Sequence, residues 1–363
     1  MKINKSHLIQ QDNATNQQII SLAGMSLNEF NYGLLPIWPP DARPMEVKII
    51  VDAQKSLRVA VYACRAVTPG GIRIETDESG VARDFLVDLP EYTSSLKEQQ
   101  RKEFYVCLSA DVYNRVPAGD VVETEDPPRF PFAVPALSLG LIAADQLANG
   151  SVSLDSILIG KVILGRDDTE VVAGYIPPCA AIRSHPALIS YHSKYEQFLG
   201  NLETCLVTII KNVRYKKLET SLAMLVSRLC FKMLDYIGPL AVRARWDLIN
   251  LPPIRLFESL SCLSRIMANE INSNTAADME EMINYFTSWS ELKQGDFEKL
   301  LAYTTNFEYN HNEILASLEQ FETFMRITGG LFDKLADLAY LGKKKETGIF
   351  VKENKTSRSF LAD

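Results

Sequence analysis

Two spacings of apolar residues divide the chain. Up to about residue 176, short apolar runs alternate with polar positions: Val47, Ile49 and Val51 are followed by Leu57, Val59 and Val61, and Gly70-Gly71 then precedes Ile72-Arg73-Ile74-Glu75. A period of two broken by turn residues predicts half-buried strands. Further strands are predicted over 84–89, 103–113, 138–143, 154–164 and 170–175, with Arg166-Asp167-Asp168 as the turn before the last. Strands without intervening helices predict an antiparallel sandwich or barrel, not a doubly wound α/β fold. One helix is predicted ahead of them, from about His7 to Ala23, ending near Gly24.

After Pro177-Pro178 the spacing changes to three and four. Leu188, Tyr191, Tyr195, Phe198, Leu202, Cys205 and Ile209 form one stripe, and Leu218 to Ile237 forms a second that is expected to end near Gly238-Pro239. A third helix is predicted after Pro252-Pro253, with Ile254, Phe257, Leu260, Leu263, Ile266 and Met267 on one face. The longest regular stripe runs through Phe297, Leu300, Thr304, Phe307, His311, Ile314, Leu318, Phe321, Met325, Thr328, Phe332, Leu335 and Ala339. Unbroken 3,4 alternation predicts a long helix that must pack on other helices, within the chain or between chains, with Gly329-Gly330 as a break near its end. The expected organisation is a multidomain α+β chain: a β-sandwich domain with its helix over 1–180, a helical neck over 181–275, long C-terminal helices over 276–341 and a polar basic tail over 342–363.

Composition narrows the function. The chain has 363 residues, 47% of them hydrophobic, which is ample for sizeable cores and more than one domain. With 38 basic residues against 45 acidic ones the net charge is −7, which argues against a nucleic-acid partner. Six cysteines lie at least 25 residues apart, the spacing of neither a disulfide framework nor a zinc site, so reduced thiols and a cytoplasmic setting are expected. The N-terminus lacks the apolar core of a secretory signal, and the uncharged stretch 130–144 is too short and proline-broken to span a bilayer.

Candidate chemistry is sparse. There is no phosphate-binding glycine motif, no metalloprotease motif and no Cys-x-x-Cys, and only four histidines. Cys179 with His185 or His192 would be a thiol and a base without the third group that orients them. Asp167 and Asp168 read as solvated turn residues before they read as a cation site. His311 falls inside the long stripe, where three copies of the chain would gather three imidazoles, or where it would set register. No catalytic residue, cofactor, metal or small-molecule substrate is therefore assigned, and the basic tail is expected to be solvated.

Three short segments carry a resemblance: His7-Leu8-Ile9-Gln10-Gln11-Asp12, Tyr32-Gly33-Leu34-Leu35-Pro36 and Tyr175-Ile176-Pro177-Pro178-Cys179. In this order, with helices beginning at Ser184-His185-Pro186-Ala187-Leu188 and after Leu251-Pro252-Pro253, they resemble the TssK family (also VasE or ImpJ) of bacterial type VI secretion baseplates. That resemblance covers residues 1 to about 273. It implies a trimer with a sandwich "shoulder" like that of phage receptor-binding proteins and a helical neck, docking to the wedge subunits TssF and TssG. In the family a C-terminal head grips the membrane complex. Only some 23 residues follow the last stripe here, so the head is expected to be missing, as in the shorter Bacteroidetes-type form, and the membrane-side anchor is of unknown identity.

Such a protein would be a non-enzymatic connector at the cytoplasmic face of the inner membrane. The shoulder contacts are then expected among Tyr32, Leu34, Leu35, Pro36, Ile37 and Trp38, unless these pack internally. The neck seam is Leu188, Tyr195, Phe198, Leu202 and Ile209. The C-terminal seam is Phe297, Leu300, Phe307, His311, Ile314, Leu318, Phe321 and Met325. The alternatives are a phage-like receptor-binding or tail adaptor protein, which shares a trimeric shoulder, and a cytosolic hydrolase, which would need clustered acid, base or metal ligands.

Overall fold

In the computed structural model the described residues are 4–338 and 341, apart from 37–43, 53–54, 77–81, 95, 98, 149–152, 167 and 294. Ile37, Trp38, Asp167, Ala339 and the basic tail lie outside them. Helix α1 (Lys5–Gly24) opens the chain with an Asn4 cap, whose side chain accepts from the His7 amide. Among the described residues nine antiparallel strands follow, and two short helices interrupt them.

The first sheet is organised on β3 (Ser56–Val67). Along one side it pairs with β2 (Met45–Val51) and β1 (Gly33–Leu34), along the other with β4 (Arg73–Glu75) and β5 (Arg83–Asp88). Only a strand this long can serve four partners, and the alternation legible at Leu57, Val59 and Val61 marks just its first half. After α2 (Pro90–Thr93), the second sheet has the order β7-β6-β8-β9, with β6 (Lys102–Ala118), β7 (Phe132–Ala143), β8 (Ser156–Leu164) and β9 (Thr169–Val171); α3 (Ala144–Ala148) sits between β7 and β8. The expected strand over 170–175 is the short β9.

The sheets pack as a sandwich. Leu57, Val59 and Val61 of one meet Phe104, Val106 and Leu108 of the other in a common core, and Gly160 leaves room for the Ile49 side chain where a Cβ would collide. The opposite face of the second sheet buries a smaller cluster of Tyr105, Cys107 and Leu158. Between Val106 and Cys107 the register shifts against β8, a bulge that turns Lys161 toward Tyr105, its cross-strand partner. Past a further shift between Asp111 and Arg115, the outer halves of β6 and β7 continue as an exposed two-stranded arm.

Helices α4 (Pro186–Tyr215), α5 (Ser221–Trp246), α6 (Ile254–Asn272), α7 (Ala276–Trp289), α8 (Asp296–Thr305) and α9 (Ile314–Asp337) form a bundle whose interior is continuous with the sandwich core. Two expected breaks are absent. Helix α5 runs through Gly238-Pro239 to Trp246, because Ile237 and Leu240, buried on either side, hold the turn that has lost the proline's hydrogen bond. Helix α9 likewise runs through Gly329-Gly330.

One expected continuity is broken: the stripe from Phe297 is not a single helix. It divides into α8 and α9 at a linker over 306–313, where Asn306, Asn310 and Asn312 favour turns over helix. The 3,4 spacing persists across the gap because linker side chains pack inward too.

Candidate functional site: the junction of sheets and helices

The junction is assembled by the linker between α8 and α9, which crosses the base of the sandwich. Its chemistry begins with Glu313. The Lys161 ammonium donates to its carboxylate at 2.7 Å, and the Tyr105 hydroxyl donates to the same oxygen. Lys161 also pairs with Glu103 at 2.8 Å and lies 5.2 Å from the centre of the Tyr105 ring. Burial pulls the Lys161 pKa down, but the hydrogen bonds to Glu103 and Glu313 outweigh it and raise it above the ordinary lysine value. Burial, then the Glu313 carboxylate, push the Tyr105 phenol up, so it stays a donor.

One residue earlier, Asn312 is held by two tyrosines. The Tyr32 hydroxyl donates to its side-chain oxygen at 2.9 Å, and the Tyr175 hydroxyl donates to its carbonyl at 3.1 Å. Burial raises the Tyr32 pKa to about 12. Next to them His311 is buried, with Nε2 3.0 Å from the Tyr32 carbonyl and Nδ1 2.8 Å from the Tyr309 hydroxyl. Nε2 must carry the proton to donate to a carbonyl, so Nδ1 accepts from Tyr309. Burial lowers the His311 pKa to about 4, and the ring is neutral at ordinary pH. This corrects the reading of His311 as a seam residue shared by three chains: both its nitrogens are engaged inside one chain.

Below this layer, two of the sequence motifs are joined through the backbone. The Leu34 amide donates to the Pro178 carbonyl at 2.8 Å and the Ala180 amide to the Leu34 carbonyl at 2.9 Å, pairing Leu34 with Cys179 in parallel. Gly33 has φ +104 and a Cβ there would collide with the Pro178 carbonyl, so the Gly-Leu step is a steric requirement of this contact. Tyr32 and Leu34 are buried, and Leu35 and Pro36 half-buried. Of the six expected shoulder contacts, Tyr32 and Leu34 thus belong to the interior.

Both helical seams also pack within the chain. Leu188, Tyr195, Phe198, Leu202 and Ile209 face the bundle core, where the Tyr195 hydroxyl bonds Ser259 Oγ at 2.7 Å. Phe297, Ile314, Leu318, Phe321 and Met325 are buried, with Leu300 and Phe307 half-buried against them. Phe198, Leu202 and Met325 also floor a surface groove of ≈ 630 Å³ between α4 and α9.

The residues considered for catalysis serve the fold. The buried Cys179 thiol, raised by burial, donates to the Pro177 carbonyl at 3.2 Å. His185 caps α4 by accepting from the Ala187 amide, and His192 reaches the Ala244 carbonyl at 3.0 Å. Asp168 pairs with Arg101. Among the described residues no group of three His, Cys, Asp or Glu side chains is placed to hold a metal ion, and no helix is long and apolar enough to cross a membrane.

Sequence reasoning missed Tyr105, Lys161, Asn312 and Glu313, and named Tyr175 only as part of a motif. The three asparagines of the linker were the only local signal. Nothing in strands β6 and β8 shows that a segment more than 150 residues later covers their outward face.

No protein-family model and no curated protein matches the sequence. Among solved structures the chain is similar to a crystal structure of TssK at 14% identity and a TM-score of 0.46, over 92% of this chain and 67% of that one. It is similar to TssK from the type VI secretion system of EAEC in complex with nanobody nb18 at 14% identity and 0.47, over 91% and 69%. A third similar structure is the TssK-TssF-TssG baseplate subcomplex of a type VI secretion system, at 12% identity and 0.45, over 93% of this chain and 97% of that one.

Proposed function

We propose that the protein is a structural baseplate subunit of a type VI secretion system. In this reading it is a TssK-type connector that associates as a homotrimer and holds the wedge subunits TssF and TssG on its sandwich. The observation that carries the reading is the backbone pairing of Leu34 with Cys179. Two motifs chosen from the sequence for their family resemblance, far apart in the chain, meet at one junction, and the glycine of the first is required by the carbonyl of the second. Their role in such a protein is to fix the sheets on the helices.

A connector of this kind works by geometry. A sandwich clamped to a bundle presents its loops in a set direction, and threefold copies add several weak contacts through effective concentration. The helical end faces the membrane-side anchor, and the working place is the cytoplasm. Light scattering of the purified chain, and its co-expression with the TssF and TssG of its own source, test the proposal. A three-chain mass and co-purification of both wedge proteins are expected. A monodisperse single chain that recovers neither overturns it.

A further inference from the structure

Two surface hollows run on from the place where the chain leaves its last helix. The first, of ≈ 320 Å³, is walled by Asp337 and Leu338 at the end of α9 and by Ser288 and Trp289 at the end of α7. The second, of ≈ 340 Å³, shares Ser288 with the first and follows α7 back to Ala277, against Leu222 of α5. Together they make one groove. Leu222 and Tyr285, largely buried, give it apolar walls, and Glu280 and Glu281 line it as exposed carboxylates. Neither carboxylate has a cationic partner among the described residues, since Arg228 and Arg326 on α5 and α9 are taken up by Glu270 and Glu291. At the near end Lys334 and Asp337 offset each other, so the groove keeps the charge of its two glutamates.

The chain supplies a segment that matches this groove in charge and in reach. Leu341 is buried in the bundle core, so the chain is still packed against the helices three residues past Leu338. Beyond it, Lys343 to Arg358 hold six basic residues and two acidic ones, with Ile349-Phe350-Val351 standing among the lysines. Ser288 and Ala277 are about 17 Å apart along α7. A chain extended from Leu341 covers up to about 26 Å by Ile349, enough to follow the groove to its far end.

We infer that residues 342–363 dock in this groove of their own chain, with Lys343, Lys344 and Lys345 beside Glu281 and Glu280 and the Ile349-Phe350-Val351 run against Leu222. The inference stands apart from the secretion-system reading. It departs from the expectation of a solvated tail, because charge alone takes no account of the apolar run or of where the chain emerges. A basic and apolar peptide from outside would compete with a segment tethered at an effective concentration on the order of millimolar. The larger groove between α4 and α9 is the poorer host. Its lining residues lie back along α9 from Leu338, so the tail would have to reverse, and its Lys194 and Glu322 already pair with each other at 2.7 Å.

The test uses the full chain. Chymotryptic cleavage after Phe350 is expected to be about tenfold faster in Glu280→Lys with Glu281→Lys than in the wild type, the effect of losing two or three exposed ion pairs. Adding Lys344→Glu and Lys345→Glu is expected to return the rate toward that of the wild type. Glu203→Lys, at an exposed position on α4, is expected to leave it unaltered. An unchanged rate in the first variant, or no recovery in the second, overturns the inference. If charge reversal unfolds the chain, the unmodified protein decides. Carbodiimide, which joins an ammonium to a carboxylate in contact with it, is expected to link Lys343, Lys344 or Lys345 to Glu280 or Glu281. Links to other carboxylates alone, or none, overturn the docking. In a mixture of heavy- and light-isotope chains, links between unlike chains would place a second copy's tail in the groove and overturn it as well.

Discussion

His311 shows how a single residue ties stability to pH. Its neutral ring accepts from Tyr309 and donates to Tyr32, and burial holds its pKa at about 4 against 6.5 for an ordinary histidine. Below 6.5 the unfolded chain takes up a proton that the folded chain refuses. Stability therefore falls by about 1.4 kcal/mol per pH unit between these values and levels off below pH 4, a loss of roughly 3 kcal/mol. The surrounding phenols Tyr32, Tyr175 and Tyr309 and the Cys179 thiol have pKa values raised by burial and add no titration in that range. Urea denaturation between pH 7 and 4 should show a steeper slope in the wild type than in His311→Gln, which keeps a donor for the Tyr32 carbonyl; the remaining slope includes His185, whose pKa burial also lowers. Parallel curves would refute the assignment.

At the scale of elements, the linker between α8 and α9 acts as a clasp whose strongest point is Glu313. Glu313→Gln is expected to destabilise the chain by about 2 kcal/mol, less than for a fully buried pair because Lys161 keeps Glu103 and both groups retain some solvent. In a double-mutant cycle with Lys161→Met, a coupling of about 1 kcal/mol or more is expected, and strictly additive losses would show that the pair is not coupled. The elements themselves were largely legible: the change of period near residue 177, the helix before the strands, and the start of α6 after Pro252-Pro253 all lie where the spacing puts them. The clasp was not. Periodicity reports that a side chain is buried, not what buries it, so Phe307 and His311 read as one helical stripe with Ile314 although a loop separates α8 from α9. The arm was illegible for the converse reason, since β6 and β7 run on past their buried halves, where no alternation is imposed. Pro239 and Gly329-Gly330 misled because packing on both sides of a helix outweighs a local breaker.

For the molecule as a whole, the main apolar cluster runs from Leu34 through both sheets and all six bundle helices to Leu341, beside the smaller one around Tyr105. Sheets and helices are then expected to unfold together. Far-UV circular dichroism, which follows the bundle, and near-UV signals of Tyr105 and Tyr175 should give coincident midpoints, and two separated transitions would refute a shared core.

The bond from His311 to Tyr32 spans 279 residues, and that from Tyr105 to Glu313 spans 208. During synthesis the sandwich strands leave the ribosome well before the segment that closes their base, and a nascent chain stalled before residue 306 carries Lys161 and Tyr105 uncovered. Final closure waits for the linker, so premature termination before residue 306 yields a sheet domain that chaperones and proteases can recognise as unfinished.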